Sequence, residues 1–224
     1  MMPGWLDIAL RSLGVSLLAT ALVMMISIPV AYVLSRRIFL GKELLSAILM
    51  LPLVLPPTAV GLMLLTLLGS NGALGLWGHE LGLLFTWRAA AIASGVMSFP
   101  LALRTARVAF DGVDPRLETM ASSLGYGRWR RFMTVTLPLA RRGLAAAAIL
   151  AFLRGLGEYG ATVMVAGNIP GQTQTLALAI EARQSAGKFG EALFYALLSV
   201  GVGLVSLVVA ERLSAPTRQS MHAP

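Results

Sequence analysis

The fold is decided by long uncharged runs, and the first of them reads SLGVSLLATALVMMISIPVAYVLS, residues 12–35. It lies between Arg11 and Arg36 and is longer than the roughly 20 apolar residues that a membrane-spanning helix requires. The basic residues Arg36, Arg37 and Lys42 follow the run, whereas a cleaved signal peptide has its basic residues in front. The run therefore predicts a membrane anchor whose N-terminus lies outside the cell.

The rest of the chain has the same character. Of its 224 residues, 57% are hydrophobic and only 12% are charged, compared with about 25% charged residues in soluble domains. Four more apolar runs cover residues 44–68, 85–103, 143–166 and 192–210. The sequence therefore predicts an all-α integral membrane protein, with about five transmembrane helices in one domain that covers residues 1–224.

Three prolines interrupt the second run, in LPLVLPPTAVG at residues 51–61. Each proline removes a backbone donor and bends a helix, and lipid-exposed backbone does not tolerate that loss. The prolines predict a broken helix that is either a kinked part of the scaffold or the lining of a cavity.

The basic residues indicate the orientation of the spans in the membrane. Of the 18 lysines and arginines, thirteen fall in the loops and tail on one side of the predicted spans, four fall on the other side, and Arg154 lies within a span. The positive-inside rule assigns the richer side to the cytoplasm. The C-terminus and a long loop at residues 104–142 are then cytoplasmic. The net charge of +8 reflects this topology, and no base-reading motif accompanies it to indicate nucleic-acid binding.

The cytoplasmic loop contains a well-delimited short helix in DPRLETMASSLG, residues 114–125. Asp114 suits the N-cap, Pro115 the first helical position and Gly125 a left-handed C-terminal residue. Apolar residues recur with helical spacing at Leu117, Met120, Ala121 and Leu124. The helix either packs on its own protein or inserts this face into a groove of a partner, and the pattern alone favours the first alternative.

The loop also resembles the cytoplasmic E-A-A…G…L-P signature of ABC importer permeases. Glu118, Ala121, Gly125 and the pair Leu137-Pro138 match it, whereas Met120 stands where the family usually has the first alanine. In that family the loop is a coupling helix that fits a cleft on an ATP-binding subunit. The resemblance implies an ATPase-coupling surface made of Leu117, Glu118, Met120, Ala121, Leu124, Gly125 and, at its rim, Arg128.

Other stretches, among them MSFPLALR and FLRGLGEYGATVMVAGNIPGQTQTL, resemble molybdate ABC transporter permeases in particular. This resemblance implies the type I ABC importer permease fold in a bacterial or archaeal cytoplasmic membrane. It also implies a homodimer with a pathway between its subunits, two ATPase subunits and an extracytoplasmic molybdate-binding protein. ATP and Mg²⁺ are then bound by the ATPase, and this chain holds no cofactor. Sulfate and tungstate permeases share much of the pattern and remain alternatives.

Arg154 and Glu158 are the only ionisable pair inside a predicted span. An ionised group at mid-bilayer costs about 2.5–3.5 kcal/mol on insertion scales and should face protein or a water-filled path. Four residues apart on a helix, the two can form a pair, either as part of the pathway or its gate or as a structural pin. Further uncharged candidates for the pathway are Thr162, Asn168 and Thr173.

No catalytic site is predicted. The chain lacks a phosphate-binding G-x-x-x-x-G-K-[ST] loop, and its two histidines, His79 and His222, lie far apart, which makes a histidine metal site implausible. Three alternatives to an ATPase-driven permease remain: a self-contained channel, an ion-driven carrier and, least in keeping with the composition, a membrane enzyme.

Overall fold

The computed structural model describes residues 4–75 and 82–214, and all regular elements within these ranges are helical. His79, Arg218 and His222, which the sequence places in a loop and in the tail, lie outside the described residues. The helices are α1 (Gly4–Arg36), α2 (Lys42–Val54), α3 (Pro57–Leu68), α4 (Trp87–Asp111), α5 (Pro115–Ser123), α6 (Arg128–Arg131), a π-helical turn (Phe132–Thr136), α7 (Leu137–Leu156), α8 (Gly160–Ala166), α9 (Leu176–Ser185) and α10 (Phe189–Ser214).

Within the described residues, four helical segments are long and apolar enough to cross a membrane. They are α1, α4, the continuous 29-residue rod Arg128–Leu156 and residues Phe189–Ala210 of α10. The pair α2 and α3 meets the same criterion when taken together, although its two halves are bent by 109°. The described residues thus confirm the predicted all-α, multi-pass architecture of about five spans.

The bend between α2 and α3 lies at the predicted prolines. Leu55 leaves α2 with an extended backbone, and Pro57 occupies the start of α3, where its missing N–H costs nothing. Helix α3 then packs against α8 through two glycines. A Cβ atom on Gly61 would lie 2.8 Å from Ala161 Cα, and one on Gly160 would lie 2.8 Å from Pro57 Cβ. The broken helix is therefore anchored to the protein by close backbone contact.

Helix α4 forms the centre of the bundle and packs on α1 and α7. Six of its seven alanines, among them Ala89, Ala93 and Ala106, have no exposed surface. A Cβ atom on Gly143 of α7 would lie only 2.4 Å from Ala109 Cβ, so this glycine sets the spacing of the two helices. Small residues of this kind let membrane helices approach closely where no hydrophobic effect drives them together.

The helices extend beyond the apolar runs from which their ends were predicted. The third span was predicted at 85–103 and followed by a loop at 104–142, but α4 continues to Asp111 and the next rod begins at Arg128. The charges that end the apolar run do not end the helix, since Arg107 and Asp111 pair one turn apart at 3.7 Å. The connecting segment is therefore short, and α5 occupies most of it.

One further local prediction was wrong. The run 143–166 is not one helix, because α7 ends at Leu156 and α8 begins at Gly160. Pro138 lies in the first turn of α7. In the π-helical turn immediately before it, hydrogen bonds span five residues and not four. The rod Arg128–Leu156 continues through the proline.

Candidate functional site

Helix α5 has the caps that its sequence predicts. Asp114 accepts a hydrogen bond from the Arg116 amide at 2.9 Å, and Pro115 is the first helical residue. Gly125 has φ +81°, a conformation that glycine adopts without steric cost. The Tyr126 amide then donates to the Ala121 carbonyl at 3.0 Å. Both ends of this nine-residue helix are thereby fixed.

The apolar side of α5 is largely exposed. Leu117, Met120 and Leu124 are 42%, 64% and 78% exposed, whereas Ala121 is 6% exposed. A short helix is marginal alone and needs burial of an apolar face to be stable. Of the predicted apolar set, only Ala121 is buried against its own chain. The other three side chains form an apolar surface, hereafter the α5 apolar face.

Glu118 points towards its own protein. Its Oε1 accepts hydrogen bonds from Arg36 Nε at 2.9 Å and from Thr136 Oγ1 at 2.9 Å, and the Glu118 side chain is only 13% exposed. Glu118 and Ala121 thus contact their own chain, and their predicted part in an ATPase-coupling surface stays a prediction. Both residues fasten α5 from its inner side, whereas Arg128 is exposed at the start of α6.

Arg36 and Thr136 complete this attachment, hereafter the Glu118 hub. Arg36 also donates to the Val113 carbonyl at 2.9 Å, and Thr136 is fully buried at the end of the π-helical turn. The hub therefore joins the C-terminal end of α1, the start of α5 and the start of α7. Sequence reasoning counted Arg36 only as a topological charge and did not identify Thr136, because neither lies near Glu118 in the chain.

An aromatic cluster supports the hub from the bundle side. Tyr32 makes edge-to-face contacts with Phe132 and Phe110, with ring centroids 4.8 Å and 5.6 Å apart. Such contacts contribute about 0.5–1.5 kcal/mol beyond their area burial. Movement of the π-helical turn would therefore involve α1 and α4 as well as α7.

Arg154 and Glu158 form the predicted pair, with Arg154 Nη1 2.7 Å from Glu158 Oε2. The other carboxylate oxygen accepts the Ala161 amide at 2.9 Å and so caps α8. The Glu158 side chain is 2% exposed, whereas that of Arg154 is 32% exposed. The pair bridges the break between α7 and α8 and leaves the guanidinium accessible.

The uncharged pathway candidates are engaged in internal contacts. Thr162 is fully buried, with its hydroxyl 3.4 Å from that of Ser94 on α4. Asn168 donates to the Leu178 carbonyl at 3.0 Å, and Thr173 accepts from the Ile169 amide at 3.0 Å. These contacts hold the connection between α8 and α9. The polar side chains of Asn168 and Thr173, which were expected to contact a solute, therefore form hydrogen bonds within this loop.

The chain is similar to known transport proteins over most of its length. Residues 23–219 match the family model described as "Binding-protein-dependent transport system inner membrane component". The molybdenum transport system permease protein ModB of Escherichia coli K12 is 42% identical over 221 residues, which cover 97% of this chain and 96% of the relative. The sulfate transport system permease protein CysW of Synechococcus elongatus is 35% identical over 223 residues, covering 94% and 77% of the two chains.

Solved structures share the fold. A bacterial ABC transporter that imports the acidic polysaccharide alginate has a chain similar to this one with a TM-score of 0.71 at 15% identity, covering 98% of this chain and 82% of that chain. An amino acid ABC transporter has a similar chain, with a TM-score of 0.65 at 16% identity and coverage of 95% and 93%. The fold is that of type I ABC importer permeases.

Proposed function

Because the chain belongs to the family of binding-protein-dependent transport system inner membrane components, we propose that it is the membrane-spanning subunit of an ATP-driven molybdate importer. Two copies form the translocation pathway in the cytoplasmic membrane, with their N-termini outside and their C-termini in the cytoplasm. Two ATPase subunits bind ATP and Mg²⁺ on the cytoplasmic side. An extracytoplasmic binding protein delivers the oxyanion.

The observation that carries the coupling proposal is the two-sided character of α5. The α5 apolar face is exposed, which suits insertion into a groove of a partner. The inner side is fastened through the Glu118 hub to α1 and α7. A partner that displaces α5 therefore acts on two long membrane helices at once.

This arrangement supports alternating access without an energy source in the permease. ATP binding brings the two ATPase subunits together, and each carries its α5 with it. The Glu118 hub transmits this displacement to the cytoplasmic ends of α1 and α7. The two permease copies then tilt against each other and open the pathway to one side of the membrane at a time.

The pair Arg154 and Glu158 suits a pathway for a dianion. Its two charges neutralise each other, and the accessible guanidinium supplies a weak attraction to an oxyanion. Transport requires sites that bind the ion briefly and release it. In this proposal Arg154 faces the pathway, and Glu158 holds it in place and keeps it from binding the oxyanion too tightly.

The decisive experiment introduces a charge on the α5 apolar face. In proteoliposomes that contain the permease, its ATPase and the binding protein, Met120→Asp should abolish ATP-dependent molybdate uptake, because an ionised group would have to enter an apolar groove. Ser122→Asp is the matched control, since Ser122 is exposed on the same helix and lies about 200° around it. Normal uptake by Met120→Asp would refute the proposed docking.

Substrate and energy source are tested separately. Competition between labelled molybdate and excess sulfate or tungstate identifies the preferred oxyanion, and the higher identity to ModB over nearly the whole relative supports molybdate. Uptake at full rate by the permease alone, without ATPase, would indicate a channel or an ion-driven carrier instead.

A further inference from the structure

A cavity of about 660 Å³ opens beside the Glu118 hub, between the end of α1 and the start of the α6–α7 rod. Among the described residues that line it, four are arginines and Glu118 alone is acidic. We call it the arginine cavity. Its basic residues are Arg36, Arg37, Arg128 and Arg131.

The cavity has an excess of positive charge. Glu118 is already paired with Arg36 at 2.9 Å. Among the side chains that the structure describes, no carboxylate lies within salt-bridge distance of the other three arginines. The neighbouring Arg130 stacks over the Tyr126 ring at 4.3 Å and is not a lining residue. Three guanidinium groups therefore remain available to an anion.

One of these guanidinium groups has an unsatisfied donor. Arg131 Nε is buried and has no hydrogen-bond partner in the described part of the chain. A buried donor without a partner is destabilising, and the cost is larger for a charged group. Arg131 lines the cavity, and an anion there would offset part of this cost through its attraction for the same guanidinium. This feature distinguishes the cavity from an ordinary basic surface.

The remaining lining is apolar and aromatic. Pro29, Tyr32, Val33, Trp129 and Phe132 contribute to it, and the Trp129 and Phe132 rings lie 6.1 Å apart. Tryptophan and arginine at the ends of apolar spans are typical of the membrane–water boundary. A small free oxyanion would use the arginines but leave the apolar wall in contact with water. A ligand with both a phosphate and an acyl chain uses both parts.

We propose that the arginine cavity binds an anionic phospholipid, with the phosphodiester on Arg37, Arg128 and Arg131 and the acyl chain along the wall of Tyr32 and Phe132. The bound lipid lies against α1 and the π-helical turn, both of which carry residues of the Glu118 hub. It therefore stiffens the attachment of α5 when the membrane contains anionic lipid. This proposal concerns lipid binding by the chain alone and does not depend on the transported solute.

The test uses the full chain in phosphatidylcholine nanodiscs, with Trp129 as its only tryptophan. Phenylalanine replaces the other three, which are Trp5, Trp77 and Trp87. Phosphatidylglycerol with brominated acyl chains is added at a low fraction, and quenching of Trp129 fluorescence is compared with that by brominated phosphatidylcholine at the same fraction. We expect at least about fivefold enrichment of phosphatidylglycerol at Trp129, the factor that one arginine contributes near an anionic surface. A chain with Trp5 alone is the positional control and should show no such preference, because the nearest basic residue in sequence, Arg11, is paired with Asp7 at 2.8 Å.

Charge variants identify the site. Arg128→Gln with Arg131→Gln should remove the preference, whereas the control pair Arg141→Gln with Arg142→Gln, exposed and outside the cavity, should keep it. A second variant, Arg37→Gln with Arg128→Gln, keeps Arg131 and is used if loss of Arg131 impairs folding. It should also remove the preference.

Four results would overturn the proposal. They are equal quenching by the two lipids, a preference that survives the cavity substitutions, a preference that the control pair also abolishes, and displacement of the lipid by millimolar inorganic phosphate or molybdate. The last result would identify the cavity as a site for free oxyanions.

Discussion

The Glu118 hub allows a quantitative test of how α5 is held. Glu118→Ala removes the acceptor of two hydrogen bonds, one from Arg36 and one from Thr136. Removing one partner of a fully buried ion pair costs about 3–5 kcal/mol, whereas exposed pairs contribute about 0–1 kcal/mol. The two side chains are 16% and 13% exposed, so the expected loss lies between these limits, at about 2 kcal/mol.

Local opening of α5 is the appropriate measurement, because the hub attaches this short helix to α1 and α7. About 2 kcal/mol corresponds to an increase of roughly 30-fold in the opening equilibrium. Hydrogen-exchange mass spectrometry on the full chain in nanodiscs should show this increase for the amides of α5 that follow Pro115. Amides of α9 should exchange at their usual rate.

Two controls make this test specific. Glu43→Ala removes an exposed carboxylate that has no ion pair in the described part of the chain, and it should leave α5 exchange unchanged. Arg36→Ala combined with Glu118→Ala should cost about 1–2 kcal/mol less than the sum of the single changes. Additive effects, or a change of less than threefold in α5 exchange, would show that the hub does not hold the helix.

Three further substitutions test the packing and the polar contacts. Gly61→Leu should abolish accumulation of folded protein, because even a Cβ atom there lies 2.8 Å from Ala161 Cα; Gly201→Leu, at a position with open space, should express normally in the same size-exclusion assay. Gly125→Ala should lower the free energy of α5 opening by about 1 kcal/mol, because alanine is strained at the positive φ of this position. Gly125→Asn should lower it less, and exchange of α5 amides measures both changes. Glu158→Gln keeps an acceptor for the α8 amide but no longer neutralises the charge of Arg154. Uptake by proteoliposomes should therefore fall several-fold, while the free energy of unfolding changes by about 1 kcal/mol.

Sequence reasoning succeeded where a local signal was sufficient. Uncharged runs identified the membrane helices, because backbone in lipid must satisfy its own hydrogen bonds and its side chains must be apolar. The prolines located the bend between α2 and α3. The caps of α5 were predicted correctly, since Asp114, Pro115 and Gly125 act on the backbone within one or two residues.

Helix ends were predicted less well, and the reason is physical. Apolar runs report how far a helix lies in lipid, whereas a helix continues into water as long as its charges are solvated or paired, as Arg107 and Asp111 are. The break between α7 and α8 depends on Glu158, which caps α8 by accepting the Ala161 amide. The sequence alone does not distinguish this capping role from an ordinary ion pair.

The sequence by itself determined that the chain is a multi-pass helical protein with a short capped helix between two of its long helices, because lipid solubility and capping are properties of neighbouring residues. Only the tertiary structure decided which side of that helix is free. Arg36 and Thr136 lie 82 and 18 residues from Glu118 in the chain, and folding brings them to one carboxylate. That long-range contact turns Glu118 inward and leaves Leu117, Met120 and Leu124 exposed.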